Sequence, residues 1–117
     1  MIYLSVSHID SLYYRGDRVI KHIVGWNFKE ELSQQENYNN AKKVKEKLEG
    51  LKAKIKEIKA IEVIIEPLKS GSFDVILISE FDSIETLEAY QIHEEHLGVS
   101  SFVGAVLKNR KCIDYEI

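Results

Sequence analysis

The stretch from Ser33 to Ile58 most constrains the fold. Ser33-Gln34-Gln35-Glu36 is a capping-box pattern, in which the serine and the glutamate satisfy free backbone N–H groups at a helix start. Behind it Ala41, Val44, Leu48, Leu51, Ile55 and Ile58 recur at three- and four-residue steps. That period puts them along one side of a helix. The other side carries interspersed Lys and Glu, the pattern of a solvated face. A one-sided helix of this kind must lie on an apolar surface, and the flanking segments supply one.

Val19–Phe28 is rich in β-branched and aromatic residues and reads as a strand, with Ile20, His22, Val24, Trp26 and Phe28 on one face. Ala60–Pro67 reads as a second strand and Phe73–Phe81, apolar on both faces, as a third. Asp82-Ser83-Ile84-Glu85 opens a second helix, with Asp82 or Ser83 as N-cap. Ile84, Leu87, Tyr90 and His93 follow its inward stripe. Gly98–Leu107 is rich in small residues and reads as an irregular or helical turn, and Lys108–Ile117 closes the chain as a fourth strand.

The order strand, helix, strand, strand, helix, strand specifies an α+β fold, a ferredoxin-like βαββαβ sandwich. Its helices cover one face of the sheet. The other face is expected to carry Ile61, Val63 and Ile65, then Ile76 and Ile78, then Ile113 and Tyr115. Apolar surface left in water forgoes about 25 cal/mol per Å² of burial, and a patch of this size marks an interface. The simplest cover is a second copy about a two-fold axis, so a homodimer is expected.

The net charge is −3, which gives no basic field for nucleic acid or anionic lipid. The absence of a membrane-spanning apolar run and of a basic, apolar leader argues for the cytoplasm. The single cysteine, Cys112, allows neither an intrachain disulfide nor a cysteine-based zinc site. In a predicted strand it reads as a small buried hydrophobe.

Three segments together carry a resemblance: "VIKHIVGWNFKEELS", "SEFDSIETLEAYQIHEEHLGVSSF" and the terminal "CIDYEI". Over Val19–Ile117 the chain is similar to the stress-responsive A/B barrel, or Dabb, family. The likeness lies in a first strand of the form K-H-x-V, a helix end A-Y-x-x-H-x-x-H, and a last strand ending in D-Y. The resemblance implies a dimeric α/β barrel with a pocket in each subunit between sheet and helices. It implies that His22, Val24 and Trp26 line that pocket with Tyr90, His93 and His96, and alternation adds Leu77, Arg110 and Cys112. Some relatives are polyketide cyclases that use the helix tyrosine and second histidine as an acid–base pair. Others are stress-induced proteins without known catalysis. Here the long helix presents Leu48 and Leu51 and no tyrosine to the sheet, so that family's cyclase reaction does not transfer.

Two functions follow as expectations. One is a binding domain for a small apolar or aromatic carbonyl ligand. The other is a cofactor-free enzyme acting on an enolisable carbonyl compound, with Tyr90 as acid and His96 as base, and with His22 and His93 orienting the substrate. Each three-residue step turns about 300° around a helix, so Tyr90, His93 and His96 would drift slowly along one side. His-Glu-Glu-His lacks one position of the H-E-x-x-H zinc pattern, and no metal or other cofactor is expected. A purely structural role also stays open, with His93 capping helix carbonyls and Tyr90 in the core. Residues 1–18 fall outside the resemblance. They form either an extra edge strand or a leader upstream of a native start at Val19, and residues 19–117 form the domain.

Overall fold

The computed structural model describes residues 18–117. The expectations for residues 1–17 lie outside the described residues. The elements run β1 (Ile20–Phe28), α1 (Gln34–Gly50), a short 3-10 turn (Leu51–Ala53), β2 (Ala60–Ile64), β3 (Val75–Phe81), α2 (Ile84–Ile92), α3 (Glu94–Val106) and β4 (Leu107–Glu116). The sheet order is β2-β3-β1-β4, and all three strand pairs are antiparallel. This is the ferredoxin-like sandwich, and no helix among the described residues is long and apolar enough to cross a membrane.

Local sequence sets the helix starts. Ser33 Oγ accepts from the Glu36 N–H at 3.0 Å, and Glu36 Oε1 accepts from the Ser33 N–H at 2.9 Å. At α2 the cap is Ser83, and Thr86 completes the box. The apolar stripe of α1 is buried throughout, from Ala41 to Ile58. Its helix stops at Gly50, however, and Leu51, Ile55 and Ile58 reach the core from the 3-10 turn and the loop after it. The chain must turn there to enter β2, and turn hydrogen bonds from Ile55 to Leu51 and from Ile58 to Ile55 hold it.

The phase expected for β2 is reversed. Val63 is fully buried beneath the helices, and Ile61 and Ile65 pack against the same core. Register decides this, because Val63 pairs with Leu77 and Leu77 with Val24, all on the helix side. A one-residue change of phase exchanges the two faces of a strand. The open face instead carries Ile64 with Ile23, Ile76, Ile78, Ile113 and Tyr115, the last two 61% and 43% exposed. Ile84, expected inward, is also exposed.

The outer edge of β2 is closed by α1. Glu49 Oε2 accepts from the Val63 N–H at 2.9 Å, and Lys45 Nζ donates to the Val63 carbonyl at 2.6 Å. Side chains thus satisfy backbone groups that would otherwise template a further strand.

Candidate functional site

The helix side of the sheet and the helices above it enclose a cleft of about 450 Å³. From β1 come His22, Val24 and Trp26, and from β3 comes Leu77. Leu48 of α1, Tyr90 and Gln91 of α2, and His96, Ser100, Val103 and Gly104 of α3 complete much of the wall. Leu48 was expected to face the sheet and His96 to reach the pocket, but sequence reasoning missed Gln91, Ser100, Val103 and Gly104 as lining. The spacing of Ser100, Val103 and Gly104 was the available signal, and the segment holding them, expected as an irregular or helical turn, belongs to the regular helix Glu94–Val106.

The stripe of Tyr90, His93 and His96 is not continuous. His93 has extended backbone (φ −64°, ψ 135°), ends α2 and starts α3. Its Nδ1 accepts from the Glu95 N–H at 3.1 Å, so it caps a helix start, not the carbonyls of a helix end. It is not among the residues lining the cleft. His96 reaches Tyr90 across this break, with ring centroids 4.3 Å apart.

Tyr90 is fully buried, its ring against Phe81 at 4.9 Å and His22 at 6.3 Å. Its hydroxyl has no hydrogen-bond partner among the described residues. Burial pushes its pKa up to about 12, against a smaller opposing effect of Arg110. It is therefore a neutral phenol at physiological pH, with a proton to donate.

His96 Nδ1 lies 3.1 Å from the Gln91 carbonyl oxygen. A carbonyl only accepts, so Nδ1 carries the proton and the neutral ring keeps its lone pair on Nε2. Burial holds the pKa of His96 below its ordinary value; the Gln91 carbonyl opposes this, and His22, Arg110 and His93 add to it.

His22 is 2% exposed, and its Nδ1 lies 2.5 Å from Asp114 Oδ1. On its other side the buried Ser79 hydroxyl donates to the His22 carbonyl at 2.9 Å. Asp114 arrives from β4 as the register partner of His22. Cys112, two residues earlier on the same face, brings Sγ to 3.6 Å from His22 Nδ1 and 3.5 Å from Asp114 Oδ1. Burial and then Asp114 push the Cys112 thiol above its ordinary pKa. The residue is exposed rather than a buried hydrophobe.

Leu107 owes its position to a bulge. The β1–β4 register shifts between Gly25 and Asn27, and Asn109 takes left-handed backbone at φ 57°. An extra residue in one strand changes its face alternation. Leu107 and Arg110, three positions apart, therefore both line the cleft.

Fold and cleft together define an α+β ferredoxin-like domain with a polar-ended apolar pocket under its helices. The chain belongs to the stress responsive A/B barrel domain family, whose model matches residues 20–117. A dimeric protein of unknown function and ferredoxin-like fold from Bacteroides fragilis is 30% identical, with a TM-score of 0.80 over 90% of this chain and 100% of that one. A Dabb family protein from Mesorhizobium loti is 17% identical, with a TM-score of 0.65 over 85% of this chain and 96% of that one. A hydroxynitrile lyase from Passiflora edulis is 16% identical, with a TM-score of 0.70 over 85% and 93%. The last two likenesses are of fold alone. No curated protein matches the sequence.

Proposed function

We propose that the chain is a homodimer that binds one small apolar or aromatic carbonyl compound per subunit in this cleft. The observation that carries the reading is the Tyr90 hydroxyl, buried in the cleft wall without a partner among the described residues. An orphaned buried donor is destabilising by about 1–3 kcal/mol, and a ligand oxygen would relieve that. Val24, Trp26, Leu48 and Leu77 supply apolar walls for the rest of the ligand. The dimer is supported by the isoleucine-rich open face and by relatives described as dimeric. We place the protein in the cytoplasm, where a lone thiol stays reduced, and assign it neither nucleic acid nor membrane as a partner.

The tautomer of His96 favours a second reading. Its Nε2 lone pair beside the Tyr90 phenol is the arrangement for removing a proton α to a carbonyl while stabilising the enolate. The Passiflora relative is named an enzyme. On this reading His22, held by Asp114, and Arg110 orient the substrate.

Native mass spectrometry of freshly purified protein tests both assembly and binding. The expected result is a dimer with an organic adduct that is lost when Ser100→Trp fills the cleft. A monomer overturns the assembly. Failure of any compound in an aromatic and aliphatic carbonyl library to bind saturably overturns the ligand reading.

A further inference from the structure

Three donors of different chemistry converge at the margin of the cleft. His22 Nδ1, Cys112 Sγ and an Asp114 carboxylate oxygen all lie within 4.8 Å of one another. Strand geometry produces this: His22 pairs with Asp114 and Val24 with Cys112, so alternation puts all three side chains on one side of two neighbouring strands. The single cysteine argued against a cysteine-based zinc site, but a mixed donor set needs only one thiolate.

The sulfur distances match those of a metal site. Zinc bond lengths and tetrahedral angles imply S···N and S···O separations of about 3.5–3.6 Å and an N···O separation of about 3.3 Å. Here S···N is 3.6 Å and S···O is 3.5 Å. Only N···O, at 2.5 Å, must widen, and it does so when a cation replaces the proton between His22 and Asp114.

We propose that His22, Cys112 and Asp114 form a three-ligand site for a divalent cation of the zinc type, with its fourth position open. Thiolate with imidazole and carboxylate selects such a cation over magnesium or calcium. Thiolate and carboxylate together balance the two positive charges, so the neighbouring Arg110 faces a neutral centre. On binding, the Cys112 S–H bond breaks, an S–metal bond forms and the proton leaves to solvent. His22 moves its proton from Nδ1 to Nε2 and ligates through Nδ1. Cys112 and Asp114 are exposed and His22 borders the cleft, so the open position is accessible to water or a cleft ligand.

Titration of the reduced protein with cobalt(II), then zinc(II), tests this without any cleft ligand or turnover. The expected result is one cobalt per chain, a near-ultraviolet thiolate-to-cobalt charge-transfer band, and its displacement by zinc. Cys112→Ser should abolish the band, and Asp114→Asn should weaken zinc binding at least about tenfold, the lower bound for loss of even an outer partner. Both positions are exposed, so the fold is not at stake. Unsaturable binding, a cobalt spectrum without the thiolate band, or zinc affinity unchanged in Cys112→Ser overturns the proposal. So does zinc binding that is lost in a His93→Gln/His96→Gln variant and kept in Cys112→Ser.

Discussion

The rings of Tyr90 and His96 pack against each other, tilted at 45° with centroids 4.3 Å apart, although the helix carrying Tyr90 ends before the one carrying His96 begins. The contact sets a phenol that holds its proton beside an imidazole that stays neutral.

Tyr90→Phe removes a buried hydroxyl that bonds to nothing among the described residues. Removing an unsatisfied polar group should leave stability unchanged or raise it by about 1 kcal/mol. Ligand affinity should fall about tenfold, since a hydrogen bond worth roughly 1.4 kcal/mol is lost. Chemical denaturation and calorimetric titration of the same variant check both parts. A loss of stability would mean that the hydroxyl is satisfied in the native state.

The depressed pKa of His96 makes stability pH-dependent in a stated direction. The native state binds fewer protons at this site than the unfolded chain, whose histidine titrates near 6.5. Stability from this group is therefore full above that value and declines as pH falls through it toward the folded pKa. His96→Gln should flatten the profile between pH about 7 and 5. Melting temperature measured across that range, for both proteins, is the check.

Ile113 lies 61% exposed on the open face, paired with Ile23. Ile113→Glu puts a charge on the surface proposed to meet a second copy. Sedimentation should change from dimer to monomer while the far-ultraviolet circular dichroism stays the same. A charge buried without a partner at such an interface is destabilising by several kcal/mol. A variant that remains dimeric would place the interface elsewhere.

Gly25 sits beneath the ring of Phe73, and a Cβ there would come within 2.5 Å of the ring. Gly25→Ala should therefore destabilise by about 1–3 kcal/mol, the range for overpacking. Phe73→Ala in the same chain should recover part of the loss. Equilibrium denaturation of the single and double variants gives the coupling.

Features set by near neighbours in the chain are legible in the sequence. The capping box at Ser33 depends on Glu36 three residues away. The inward row of β1 depends on alternation alone, and it places His22, Val24 and Trp26 correctly on the cleft side. Tyr90, His96, Leu77 and Arg110 also reach the cleft, while His93 does not. No glycine or proline marks the break at His93, so a periodic reading runs straight through it.

The sequence by itself determined the order of elements, the helix starts and the apolar rows, because each rests on contacts a few residues apart. Tertiary structure decided what depends on pairing between distant segments. Both faces of β2 carry isoleucine, and only the Val63–Leu77 register selects the buried one. The bulge at Asn109 brings Leu107 to the cleft side beside Arg110, and it follows from fitting β4 to β1. The meeting of His22 with Asp114 spans 92 residues of chain. No local pattern encodes it, because strand register alone brings those atoms together.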